Sequence, residues 1–231
     1  MEDVAAESGY APRRGRPPAS DEQRQQQRLD ISRHAVRLFA AQGVSATSGD
    51  QIASAAGVSE RTLWRYFRTK ESCVEPLLTK MLDAFREVLR AWPPELELTE
   101  HLRAAYTPVL ASESDTDIES VLAVIRMTHD EPALRAVYLV LRERSEDTFA
   151  EVLAERMGMP PGTFEVRVQA AAINAVLKVT TDHLVHATAN ERITLETLTR
   201  HREHIASAVS LVLQDLSGKQ APEHRVADWT S

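Results

Sequence analysis

Between Thr47 and Lys70 the chain reads TSGDQIASAAGVSERTLWRYFRTK, and few folds accommodate that stretch. Ser48 is placed to cap a helix with its hydroxyl, and Gln51 stands where a capping-box partner reaches back. Asp50 in the same first turn suits the positive end of a helix dipole. Ile52, Ala53 and Ala56 follow on one face at helical spacing, and Gly57 supplies a turn. Val58 packs the corner, and Ser59 caps a second helix from Glu60 to about Phe67. On that helix Leu63 and Phe67 are four residues apart and point inward. Arg61, Thr62, Trp64, Arg65 and Tyr66 are left on the other faces. The spacing predicts a helix-turn-helix whose second helix carries cationic, hydroxyl and aromatic groups outward, as a DNA groove requires.

The order IA-x-x-AGVS-x-x-TL-x-RYF-x-x-KE, from Ile52 to Glu71, resembles the DNA-binding domain of the TetR family of bacterial regulators. With the preceding helix, the likeness covers about a quarter of the chain. Two positions depart from the family pattern. Gly49 stands where a larger apolar or threonine side chain is usual, which predicts a looser start to the first motif helix. Trp64 stands where tyrosine is commoner, replacing a hydroxyl with an indole N–H. The resemblance implies a repressor bound as a homodimer to a palindromic operator on double-stranded DNA and released by a small-molecule effector. Thr47, Ser48, Ser59 and Glu60 are expected among the DNA-binding residues. Arg61 and Arg65 are expected at base edges, where an arginine fork matches guanine O6 and N7. Thr62, Trp64, Tyr66 and Lys70 are expected on phosphates.

Charge is divided along the chain. Net charge is −7, which alone argues against nucleic acid. Yet residues 11–70 hold eleven Arg and Lys against five Asp and Glu, while residues 71–231 hold sixteen against twenty-six. A basic head on an acidic body is the expectation. Glycine is scarce at 8 residues, and β-branched residues do not alternate with period two, so the chain should be all-α. No apolar run approaches about 18 residues, so no membrane span is expected. The start, MEDVAAESGYAPRRGRPP, lacks the apolar core of a secretory signal. The single cysteine, Cys73, cannot form an internal disulfide, in keeping with a reducing cytoplasm.

In chain order, residues 1–19 read as a flexible basic arm. Within it Arg14-Gly15-Arg16-Pro17 resembles an AT-hook core, with Arg14 and Arg16 suited to a narrow A·T-rich minor groove. Residues 20–70 form the expected head, 71–217 the effector-binding and dimerisation body, and 218–231 a flexible tail. Ser20 through Gln23 is a capping box opening the first helix, on which Arg24, Arg28 and Arg33 lie outside, on a solvated face or on phosphate. A helix beginning near Lys70 should run to Trp92 before Pro93-Pro94, and Lys70 with the N–H groups at its start would hold a phosphate. The next helix should span about Leu98 to Ala111, with Pro108 kinking it or cutting it short, and Thr116 should cap the one after. Thr163 to Ala187 is apolar nearly all round, and Leu195 to Leu216 has two adjacent apolar faces. Such helices must cover the body and something else besides. In the family resemblance that is a second subunit; a central position in the monomer is the alternative.

Polar residues interrupting the apolar helices are the candidate effector contacts: Tyr106, Arg126, His129, Tyr138, Arg142, Asn174 and Lys178. Each needs a partner if buried. Together they predict an apolar cavity with a few polar anchors, and Arg126, Arg142 and Lys178 would suit an anion. His183-x-x-His186 and His201-x-x-His204 lack a further ligand at a specific spacing, so no zinc site is expected. No nucleophile elbow or phosphate loop is present, so neither an enzyme nor a cofactor is expected. A helical carrier that does not regulate is the competing class, disfavoured by the basic head.

Overall fold

In the computed structural model, residues 20–110, 117–188 and 193–216 are described. The arm with Arg14 and Arg16, Thr116 and the 218–231 tail lie outside them. Among the described residues every regular element is helical. They are α1 (Asp21–Gln42), α2 (Gly49–Ala55), α3 (Glu60–Tyr66), a 3-10 turn (Glu71–Val74), α4 (Glu75–Arg90), α5 (Leu98–Leu110), α6 (Asp117–Met127), α7 (Pro132–Met157), α8 (Phe164–Ala187) and α9 (Leu195–Leu216).

The head is set by its caps. Ser20 with Gln23, and Ser48 with Gln51, form reciprocal capping boxes at α1 and α2. The Ser59 hydroxyl accepts from the Thr62 N–H and so opens α3. Gly57 takes φ 65° in the turn between α2 and α3, a left-handed conformation that a side chain would strain. That turn lets the Val58 N–H reach the Ala53 carbonyl at 2.9 Å. Leu63 and Phe67 then face down onto Ile31, Ala35 and Phe39 of α1 and Ile52 of α2. Burying Leu63 contributes about 1.5–3 kcal/mol.

Two apolar cores fill the molecule. The first joins the head to α6, the N-terminal part of α7 and the C-terminal part of α8. The second lies at the far end, between α4, α5, α7, α8 and α9, around Phe85, Leu102, Phe149, Ile173 and Ile205. Helix α4 contributes to both, so it runs from the head into the body. One boundary differs from the sequence reading. The segment after Lys70 begins as a 3-10 turn, and the α-helix starts at Glu75, where Pro76 in the first turn forfeits no intrahelical bond. Helix α5 continues past Pro108 to Leu110.

Candidate functional site

The outward side of α3 carries Arg61, Trp64 and Arg65, all exposed, while Leu63 on the reverse is fully buried. Arg61 and Arg65 are one helical turn apart and share a face. Arg65 lies over the Tyr66 ring with its guanidinium carbon 5.1 Å from the centroid. Glu60 is exposed in the first turn of α3, and Arg68 is exposed just beyond its end. Ser48 and Ser59 are exposed, but their hydroxyls are occupied as helix caps. Thr62 shares a hydrogen bond with Ser59 at 2.9 Å.

Three residues expected at DNA are turned to internal work. Thr47 is buried, and its hydroxyl donates to the Gly43 carbonyl at 2.8 Å, closing the α1–α2 loop. The Lys70 ammonium donates to the carbonyls of Val44 (2.7 Å) and Thr47 (2.8 Å), tying the same loop rather than waiting at a helix start for phosphate. Tyr66 is half-buried, and its hydroxyl donates to Gln27 on α1 at 2.9 Å, so its one proton is already committed.

The two departures from the family pattern meet in space. A Cβ built on Gly49 would lie 2.1 Å from Cζ2 of Trp64 and 2.6 Å from Cη2. The indole therefore occupies the space a side chain at 49 would take, and the first motif helix keeps its cap despite the glycine. This corrects the expectation of a looser helix start. Trp64 remains 44% exposed, so its ring can swing to solvent when displaced. Gly49→Ala is expected to expel the ring, red-shift its fluorescence and weaken operator binding several-fold. The spectral shift should vanish when Trp64→Phe is added; if it persists, the two positions are not packed as described.

At the junction of head and body, Asp117 at the start of α6 is buried and accepts from Arg33 and Lys80. Arg33 Nε reaches Oδ1 at 2.7 Å, Arg33 Nη2 reaches Oδ2 at 2.7 Å, and Lys80 Nζ of α4 reaches Oδ2 at 2.7 Å. The hydrogen bonds from Arg33 above all hold the Asp117 carboxyl far below the usual range, against the opposing effect of burial. Arg33 is thus a link from head to body rather than a solvated or phosphate-facing charge. Cys73 beside the junction is buried, and desolvation pushes its thiol up to about 12, so it is unreactive.

The candidate effector residues divide into two sets. Tyr106, Tyr138, Arg142 and Asn174 are buried. Arg142 Nη2 donates to the Asn174 carbonyl, and Asn174 Nδ2 donates to the Arg142 carbonyl at 3.0 Å, so these two cross-link α7 and α8. The Arg142 guanidinium carbon stands 5.9 Å from the Tyr138 ring centroid. Burial lowers the proton affinity of Arg142 and raises that of both tyrosines. Arg126, His129 and Lys178 belong elsewhere. Arg126 and His129 are exposed, at the end of α6 and just beyond it, and His129 stacks edge-on against His186. Lys178 is partly exposed and pairs with Asp182 one turn along α8 at 2.7 Å. None of the three lines the interior.

Residues 31–77 match the family model "Bacterial regulatory proteins, tetR family", and residues 96–210 match "MftR C-terminal domain". The HTH-type transcriptional regulator TcmR of Streptomyces glaucescens is 31% identical over 158 residues, spanning 66% of this chain and 70% of that one. The chain belongs to the TetR family. Among solved structures, GusR of Salmonella enterica aligns at TM-score 0.54 and 18% identity, over 84% of this chain and 96% of that one. Thermus thermophilus FadR, solved with lauroyl-CoA, aligns at TM-score 0.50 and 22% identity, over 86% of this chain and all of that one. At these identities the two structures establish the fold alone. As a TetR-family member the chain is a DNA-binding transcriptional regulator and not an enzyme. No described helix is long and apolar enough to cross a membrane.

Proposed function

We propose that this TetR-family regulator is a repressor that binds a two-fold symmetric operator as a homodimer and lets go when a small molecule enters its body. The observation that carries the reading is α3 itself, which buries Leu63 completely while Arg61, Trp64 and Arg65 are exposed on the opposite side. With residues 20–70 as the head and 71–217 as the body, Arg61 and Arg65 read base edges, and Arg68, Trp64 and Thr62 hold the backbone. The arm at 1–19 supplies further cationic contacts through Arg14 and Arg16. A gel shift against the DNA upstream of the chain's own gene tests this. A specific band is expected to weaken steeply with salt, since each phosphate neutralised adds about −0.9 to the log–log slope. Failure to shift that DNA over random competitor at any salt removes the operator reading.

The pairing surface is supported by the exposed apolar stripe of α8 and α9. Phe164 is 76% exposed, Val179 65% and Leu211 71%, and Ala171 and Ala175 lie between the first two on the same face of α8. Small residues there let a second helix approach closely, and a contiguous apolar stripe is costly to leave in water. Val179→Glu is expected to yield a folded monomer whose operator affinity falls by at least about tenfold, because one head engages only one half-site. If Val179→Glu sediments as a dimer, the interface lies elsewhere.

Effector release requires only that the ligand bind one head spacing better than another. Helix α4 is the element placed to carry the difference, since it shares a core with the head at one end and with α5 and α7 at the other.

A further inference from the structure

Arg142 is the unusual residue of the body. It is only 7% exposed, and its Nε has no hydrogen-bond partner among the described residues. Its Nη2 is satisfied by a neutral carbonyl, that of Asn174. The carboxylates whose fields reach it, Asp182 and Glu146, are engaged elsewhere. Asp182 is held by Lys178 at 2.7 Å, and Glu146 accepts from Asn174 Nδ2 at 2.7 Å. Arg142 is therefore a buried cation whose Nε is unsatisfied and to which no carboxylate is hydrogen-bonded among the described residues, Asp182 and Glu146 acting on it only through their fields. An arginine does not escape burial by losing its proton, so the part of the cost that Asp182 and Glu146 leave uncompensated persists until an anion reaches Nε.

The space around it says what kind of anion. A cavity of about 20 Å³, room for roughly one water, lies against Arg142, Tyr138 and Thr181 and is otherwise walled by apolar side chains that include Leu78, Val121 and Ile125. On the adjoining side of α7 a groove of about 200 Å³ runs between α4 and α7, lined by Leu82, Leu141, Ser145 and Phe149 among others. Leu82 lines both spaces, and Leu141 precedes Arg142 in the chain. The cavity and the groove therefore share a wall of side chains, on helices packed against each other.

We propose that the effector is an organic anion, a carboxylate on an apolar tail, whose head group takes the free edge of Arg142 and whose tail fills the α4–α7 groove. This deepens the effector-released reading and rests on it for the DNA response, but not for the binding. A carboxylate accepts from the guanidinium fork in the plane that Nε leaves open, and the tail exchanges water for Leu82, Leu141 and Phe149. Entry wedges α4 away from α7. Neither Arg126 nor Lys178 takes part, the first facing solvent and the second already paired.

The test uses the full chain and three probes: octanoate, its neutral analogue octanamide, and acetate. Calorimetry is expected to show octanoate binding at least tenfold more tightly than octanamide and acetate. Arg142→Gln should bring octanoate and octanamide within threefold of each other, and Arg126→Gln should leave the tenfold gap intact. Should Arg142→Gln not fold, Arg142→Lys keeps the charge without the fork and is expected to lose at least fivefold in octanoate affinity. Octanamide matching octanoate on the unaltered chain, no octanoate binding at millimolar concentration, or full discrimination retained in Arg142→Gln would each overturn the anion site, and undiminished octanoate affinity in Arg142→Lys would overturn the fork. Acetate binding as tightly as octanoate would overturn the tail assignment. Operator release, read by anisotropy of labelled DNA, is scored separately. Octanoate that binds through Arg142 without releasing DNA leaves the anion site standing and sinks the effector reading.

Discussion

Replacing Arg61 and Arg65 together by alanine is expected to weaken specific operator binding by roughly 30-fold or more while leaving the protein folded and dimeric. Both side chains are exposed on α3, and Arg61 makes no hydrogen bond or ion pair among the described residues. Nothing in the fold depends on them beyond the contact of Arg65 with the Tyr66 ring. A good arginine–guanine pair contributes about 1–3 kcal/mol of discrimination. The double change should therefore cost roughly 30-fold in affinity for the operator, and more if both forks are bidentate. Random DNA should lose far less, so the ratio of specific to non-specific binding collapses. Arg68→Ala is the informative contrast. Removing a cation that sits on phosphate weakens binding to all sequences alike and flattens the salt slope by about one. If the double variant keeps its preference for the operator, α3 is not the reading helix, even though the fold is right.

How much of this is legible in the sequence depends on the range of the interaction. The caps at Ser20, Ser48 and Ser59 are readable because donor and acceptor lie three residues apart on one element. The burial of Leu63 and Phe67 follows from spacing alone. The contacts that sequence does not show are those whose partners lie far along the chain. Tyr66 reads as a phosphate ligand, yet its partner Gln27 is 39 residues away. Lys70 reads likewise, yet its carbonyl partners belong to a loop more than twenty residues earlier. Gly49 and Trp64 each look like a departure from pattern, and only packing shows that one accommodates the other. In the body, an interrupting polar residue in an apolar helix signals that something needs a partner, but not on which side. Arg142 faces in because α7 packs on both α4 and α8. Arg126, one residue before the end of α6, faces solvent. Periodicity along a single helix does not contain that difference.

Asp117→Asn is expected to have the larger effect on how head and body act together. The carboxylate is buried, and it is the anion that Arg33 of α1 and Lys80 of α4 share. An asparagine of the same shape offers one oxygen in place of two and turns an N–H₂ toward two cations. Breaking a fully buried pair costs about 3–5 kcal/mol. Here Arg33 is 30% and Lys80 42% exposed, so water screens part of the loss, and about 2 kcal/mol is the better expectation. For a chain of this length that lowers the melting temperature by roughly 4–8 °C. The pH dependence has a fixed sign. The folded carboxyl titrates below its unfolded value, so its contribution is complete above about pH 4 and is lost as pH falls through the folded value. The melting difference between Asp117→Asn and the unaltered chain should accordingly be constant near neutrality and shrink below about pH 4. A difference that grows with acid would mean another group holds the junction. The functional signature follows from geometry. Losing the pin lets the head tilt against α4 and α6, so operator affinity should fall several-fold at temperatures where the variant is fully folded. Its salt slope should not change, because every phosphate partner is still in place. A flattened slope would return Arg33 to the DNA surface and dissolve the link from head to body.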